Sequence, residues 1–196
     1  MILGSHNTMS YAAPLVWWRR LLRPFYRCQA KTLEGQIAAG VRWFDIRVAQ
    51  DGDGRFVCAH GGTLLDADPV DAIETIESLA STGSVVRVVL ERCDSIKTAE
   101  DFAGLCEWLE EFMPGVRLTG GVQKRGWVEL HRFRGEPVPE PLQWVGSMQP
   151  PLERGWWKRP WRYWGGALPC LWAALNNHRL DRAALAENQV VLMDFV

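Results

Sequence analysis

The chain has 196 residues, of which 47% are hydrophobic and 23% charged, with a formal net charge of -1. Such a length and balance fit one domain over residues 1–196 around one hydrophobic core, and exclude disordered, fibrous and collagen-like classes. No apolar run approaches the roughly 18 residues of a membrane-spanning helix, and the start MILGSHNTMSY lacks the layout of a secretory signal, so a cytoplasmic location is expected.

Taken in chain order, residues 1–4 read as a short strand, followed by a helix carrying Leu33, Gln36, Ile37 and Ala38 ahead of Gly40. Residues 41–48, VRWFDIRV, read as a second strand and RFVCAHG as a third. Pro69 suits the first turn of a helix over VDAIETIESLAS, where Val70, Ile73, Ile76, Glu77 and Leu79 give a mostly apolar helical spacing. VVRVVLE is almost continuously apolar, as in strands covered on both faces. A helix around FAGLCEWLEEF follows, with Thr98 as its N-cap. VRLTGGVQ, LQWVGSM and the terminal VVLMDFV read as further strands, and residues 133–160 are the least regular stretch. Strands alternating with helices predict an α/β class. About seven strands suggest a compact, trimmed or irregular (β/α) TIM-type barrel, shorter than the roughly 250 residues such barrels usually take.

Charge and cysteine placement add detail. Residues 66–111 hold twelve acidic and three basic side chains, whereas WWRRLLRPFYR and RGWWKRPWRYW are basic and aromatic. Such segments suit a bilayer interface, with Trp17, Trp18, Trp156, Trp157 and Trp161 as candidate contacts; the alternative is that these rings pack over the ends of a barrel. Neither segment carries a nucleic-acid motif, so no nucleic-acid partner is expected. The five cysteines, Cys28, Cys58, Cys93, Cys106 and Cys170, are odd in number and form no CxxC pair, which argues for reduced, buried thiols over disulfides or structural zinc. A monomer is the expected state.

The chemistry is concentrated in three short stretches at the ends of predicted strands: GSHNT at 4–8, FDIR at 44–47 and AHGG at 59–62. If strand ends converge, His6, Asp45, Arg47 and His60 share one site. Two imidazoles beside a guanidinium suit phosphodiester cleavage: one removes a proton, the other supplies one, and the planar fork binds phosphate oxygens. Asp45 and Arg47, two residues apart on one strand face, also suit a plain structural ion pair. His131 and His178 read as structural.

In their order and spacing, GSHNT, GVRWFDIR and FVCAHG resemble the X-domain family of phosphatidylinositol-specific phospholipases C, most closely its metal-independent bacterial type. The resemblance covers residues 3–62, extends to VVRVVLER and VVLMDFV, and is absent over 115–185. It implies His6 as general base on the inositol 2-hydroxyl, His60 as general acid toward the diacylglycerol oxygen and Arg47 as phosphate holder. Asp194 matches an aspartate that orients the base, with Asp45 a further catalytic candidate. Asn7 and Glu91 become substrate-binding candidates. The implied partner is a phospholipid or inositol phosphodiester, the product a cyclic phosphate, and no cofactor is implied. Asn7 and Glu91, however, also resemble the family's calcium-dependent members, in which Asn7, Asp45 and Glu91 would be ligands. Three alternatives stay open: a calcium-dependent enzyme, a glycerophosphodiester-type hydrolase, or an inactive phosphoinositide-binding module.

Overall fold

The structure is a computed structural model that describes residues 2–80, 84–91, 98–112, 117–122, 128–133, 142–143, 170, 173, 177 and 190–196, with 105, 108–112, 117–122, 128–133 and 142–143 as backbone only. The strands are β1 (Ile2–Ser5), β2 (Trp43–Gln50), β3 (Phe56–His60), β4 (Thr63–Leu64), β5 (Val85–Leu90), β6 (Arg117–Val122), β7 (Val128–Phe133), β8 (Leu142–Gln143) and β9 (Val190–Met193). Helices among the described residues include α1 (Arg23–Tyr26), α2 (Leu33–Ala38), α3 (Pro69–Leu79) and α4 (Ala99–Phe112). The 3₁₀ segments Thr8–Tyr11 and Trp17–Leu22 lie between β1 and α1.

Each longer helix starts where its sequence can satisfy the free N–H groups of a first turn. Thr32 accepts from Gly35 N ahead of α2, and Asp68 accepts from Val70 N at 2.7 Å, with Pro69 opening α3. At α4, Thr98 Oγ1 accepts from Asp101 N while Asp101 Oδ2 accepts from Thr98 N, a reciprocal capping box. In α3 the buried residues are Pro69, Ala72 and Ile76, whereas Val70 and Leu79 are exposed. The expected stripe is therefore rotated toward the small Ala72, which lets the helix approach the sheet.

The sheet order is β6-β7-β5-β2-β1-β9-β8, with β3 pairing off β2 and β4 off β3. β1, β2, β5, β8 and β9 run parallel to their neighbours within that group. β7 lies antiparallel between β5 and β6. The α/β class holds. Among the described residues the sheet is open and mixed: β6 and β8 end its order without pairing with each other, and the antiparallel pair β6–β7 needs only a short link where a parallel return needs a crossover. β7 and the two-residue β4 were absent from the sequence expectation, and most of LQWVGSM and of residues 133–160 lies outside the described residues.

Strand alternation separates two faces. Phe44, Ile46 and Val48 of β2 pack with Val86, Val88 and Leu90 of β5 and with Leu33, Ala72 and Ile76 of the helices. On the opposite face Trp43, Val85, Val190 and Leu192 form a second apolar cluster beside Ile2. That face continues toward the carboxyl ends of the parallel strands as Asp45, Arg47 and Arg87. At Gly4 a Cβ would meet Leu192 Cδ2 at 2.6 Å and Val191 O at 3.1 Å, so only glycine lets β1 and β9 approach this closely.

Candidate active site

The site begins with a register. Ser5 pairs with Met193 on β9 and with Phe44 on β2, so the next residues along, Asp194, His6 and Asp45, stand side by side. His6 N donates to Met193 O at 3.0 Å. Gln29 clamps the two strand ends, its Nε2 donating to His6 O at 2.9 Å and to Met193 O at 2.8 Å. His60 arrives differently. β3 runs antiparallel to β2, with Val48 opposite Cys58, and its end carries His60 past that pairing to within 6.2 Å of His6, ring centroid to ring centroid. Gly61 and Gly62, with φ of 55° and 83°, then turn the chain as a two-residue hairpin of the primed type requires.

The buried His6 has one bond on each ring nitrogen. Nδ1 lies 2.7 Å from Asp194 Oδ1 and Nε2 lies 3.0 Å from Arg47 Nη2. A guanidinium only donates, so Nε2 accepts and the ring proton sits on Nδ1, facing the carboxylate. The remaining Arg47 nitrogens are shared: Nε with Asp45 Oδ2 at 3.3 Å and Nη1 with Glu91 Oε1 at 3.2 Å. Glu91 Oε2 also accepts from Gly61 N at 3.1 Å, which ties the hairpin after His60 to Arg47. The ion pair between Asp45 and Arg47 is present, and Arg47 reaches beyond it to His6. The His6 and His60 rings stand 6.2 Å apart, centroid to centroid, nearly perpendicular at 87°.

Electrostatics follow from this packing. Burial would raise the Asp45 carboxyl, but Arg47, His6, Arg87 and the Asn7 N–H outweigh it and hold the pKa at about 2. Burial would lower Arg47, and Asp45 and Glu91 raise it instead. His60 is pushed down to about 4, first by burial and then by the Arg47 charge beside it. Its Nδ1 meets the Tyr26 carbonyl at 2.5 Å, an acceptor, so Nδ1 donates and Nε2 is left toward the site.

The site therefore gathers six of the seven candidates as a connected set: His6, Asp45, Arg47, His60, Glu91 and Asp194. Asp45 and Asp194 are fully buried, and their carboxylates meet Arg47 and His6 respectively. Asn7 departs from the expectation. It is fully buried in the left-handed region at φ 46°, its N–H donates to Asp45 Oδ2, and its side chain has no hydrogen-bond partner, so it offers no exposed group for a substrate. Sequence reading missed the Tyr26 carbonyl, Gln29 and Arg87, whose Nη1 lies 3.9 Å from Asp45 Oδ1. Only Arg87 carried a signal, a lone cation inside an apolar strand. Asn7, Asp45 and Glu91 do not fit calcium. A hard cation takes six to eight oxygens, and here both carboxylates are engaged by the guanidinium that occupies the space between them.

Trp17 and Trp18 are 75% and 47% exposed, alongside the exposed Leu21, Leu22 and Phe25, so these rings do not pack over a sheet end. Arg19 stacks on Trp18 at 5.4 Å, donates to Gly62 O and lies 3.2 Å from Thr63 Oγ1. Trp156, Trp157, Trp161 and His178 lie outside the described residues, and His131 is described only as backbone.

No protein-family model matches the chain. Over 101 residues it is 30% identical to a 1-phosphatidylinositol phosphodiesterase of Listeria monocytogenes serovar 1/2a, a match taking in 52% of this chain and 30% of that protein. A solved phosphatidylinositol-specific phospholipase C from Listeria monocytogenes superposes with a TM-score of 0.56 at 16% identity, covering 99% of this chain and 87% of the other. The chain is phosphatidylinositol-specific phospholipase C-like in sequence and fold. A S. aureus phosphatidylinositol-specific phospholipase C aligns with 62% of this chain and 42% of its own, at 19% identity and a TM-score of 0.40. The likeness first read from GSHNT, FDIR and AHGG is thus met again in the comparison of whole folds.

Proposed function

We propose that this phospholipase C-like chain is a metal-independent phosphodiesterase that cleaves phosphatidylinositol, or a related phosphodiester with a neighbouring hydroxyl, to a cyclic phosphate. The observation that carries the reading is the facing pair of imidazoles with Arg47 Nη2 3.0 Å from the base nitrogen of His6. That Arg47 N–H covers the lone pair of Nε2. A phosphate oxygen competes for the guanidinium, because a charge-assisted bond to an anion is stronger than one to a neutral ring, and its arrival uncovers the base.

His6 Nε2 then takes the proton of the neighbouring hydroxyl, whose oxygen attacks phosphorus. The bond from phosphorus to the lipid oxygen breaks, and His60 Nε2–H gives its proton to that oxygen. Asp194 stabilises the imidazolium formed on His6. Attack within one molecule supplies about 7–11 kcal/mol of the barrier reduction through orientation. His60 must be protonated to act, and the phosphate anion provides for this by offsetting the Arg47 charge that depresses it. Water opening the cyclic product reverses the two roles.

The exposed Trp17–Leu22 segment supports docking at a lipid surface, with rings and arginines at headgroup depth. Among the described residues no helix is long and apolar enough to cross a membrane. The test is purified protein on phosphatidylinositol vesicles and on soluble inositol phosphodiesters, with and without chelator. Chelator-resistant formation of a cyclic inositol phosphate is expected. Turnover abolished by chelation, or binding without turnover in the wild-type protein, would refute it.

A further inference from the structure

Behind the two histidines lies a thiol that the mechanism does not use. Cys28 is fully buried, its Sγ 3.9 Å from His60 Nδ1 and 3.7 Å from Tyr26 O. Sγ, a ring nitrogen of His6 and a carboxylate oxygen of Asp194 all lie within 4.8 Å of one another, and the nitrogen beside Asp194 is Nδ1. A thiolate, an imidazole nitrogen and a carboxylate form a donor set suited to zinc, which commonly takes three protein ligands and leaves a fourth position to water. Tetrahedral zinc with ordinary bond lengths places such donors about 3.4–3.6 Å apart. His6 Nδ1 and Asp194 Oδ1 start at 2.7 Å, so rearrangements of about an ångström complete the site. Backbone bonds hold the cysteine in position: Cys28 N donates to Ser10 Oγ at 2.9 Å and Cys28 O accepts from Phe195 N at 2.7 Å.

We propose that Cys28, His6 Nδ1 and Asp194 form a site for a soft divalent cation, zinc by its chemistry, whose occupation switches the active centre off. Binding releases the thiol proton to solvent. The metal takes the Nδ1 lone pair of His6, and the single N–H of that ring moves to Nε2. The base then has no lone pair toward substrate, and its new N–H points at the Arg47 Nη2–H 3.0 Å away, donor against donor. Asp194, drawn to the metal, no longer orients the ring. Metal occupancy and turnover thus exclude each other. The site stands on geometry alone; its effect on turnover rests on the proposed phosphodiesterase reading.

The experiment is a titration of metal-free protein with cobalt(II) as spectroscopic probe, in wild type, Cys28→Ser, Cys28→Ala and Cys170→Ser, with folding checked by circular dichroism. Cys170 is exposed and serves as the thiol control. Wild type and Cys170→Ser are expected to show one equivalent of a near-ultraviolet thiolate-to-cobalt band, with visible bands of tetrahedral intensity. Both folded Cys28 variants are expected to lose the thiolate band. Zinc should then inhibit wild-type turnover at least tenfold, reversibly with chelator, while the turnover of Cys28→Ser becomes insensitive. A folded wild type without the band, or a band that survives in the Cys28 variants, would overturn the site. Because the spectrum needs no substrate, it decides the metal site even if the phosphodiesterase assays fail.

Discussion

Replacing His60 by asparagine tests the depressed acid directly, because its cost has a sign and a pH window of its own. The folded-state pKa is about 4, held below the ordinary 6.5 by burial and by the Arg47 charge. For a depressed histidine the contribution to stability is complete above 6.5, where the ring is neutral in both states. It is lost as pH falls toward 4, because the unfolded chain takes the proton first. At 1.36 kcal/mol per pH unit the loss by pH 4 is roughly 3 kcal/mol, a large share of an ordinary folding free energy. Asp45, held at about 2 against an ordinary 3.8, acts only below that window and does not overlap it. Urea unfolding of wild type and His60→Asn across pH 4 to 7.5 isolates the term, since every other titration cancels in the difference. The asparagine amide can still donate to the Tyr26 carbonyl. The wild-type midpoint is expected to fall relative to the variant by about 1.5 M, taking about 2 kcal/mol per M as the slope. Parallel curves, or a His60 ring that titrates near 6.5 by NMR, would refute the reasoning.

Asp194→Asn leaves His6 without the carboxylate that fixes its Nδ1 proton, and kcat on a soluble inositol phosphodiester should fall by about 10³–10⁴ with little change in KM. Arg47→Lys keeps the charge but not the fork that reaches Asp45, Glu91 and His6, so kcat/KM should drop by about 10²-fold or more, with fold retained by circular dichroism. Trp17→Ala with Trp18→Ala should weaken sedimentation with anionic vesicles by about tenfold and lower the ratio of vesicle to soluble-substrate turnover; an unchanged ratio would exclude this face as the docking surface.

Much of this arrangement was legible because its signals are local. His6, Asp45 with Arg47, and His60 each follow a short apolar run, and the period of a strand places Asp45 and Arg47 on one side. The helix starts at Pro69 and Thr98 were readable in outline for the same reason, since a cap involves residues at most a few positions apart. What stayed hidden depends on contacts between distant segments. The partner of His60 is a backbone carbonyl, which any residue at position 26 would supply. Cys28 lies in an aperiodic stretch between two short helices, where nothing marks its nearness to residue 194. Arg27 to Ala30 forms its own bonds, Arg27 Nε to Gln29 O at 2.8 Å and Arg27 Nη2 to Ala30 O at 3.0 Å, and such loop closure leaves no hydrophobic period to read. Asn7 was singled out by its position beside His6, while its left-handed backbone and burial, which no local pattern reveals, give it a part in the turn.

That turn points to how the site is built. Asn7 and Phe195, the two described non-glycine residues with positive φ, at 46° and 54°, each directly follow a member of the His6–Asp194 pair. A left-handed conformation costs an ordinary residue roughly 1–2 kcal/mol, and at both places a specific bond holds it: Asn7 N to Asp45 Oδ2, and Phe195 N to Cys28 O. Both chain segments leave their strands abruptly at the level of the His6–Asp194 pair. The pair itself joins residues 188 positions apart, through β1 and β9 in parallel register. Contacts of that separation form late, because the loop between them must be closed before they contribute. The contact between His6 and Asp194 therefore requires β9 to be docked against β1, so this pair depends on the same parallel register that closes this part of the sheet.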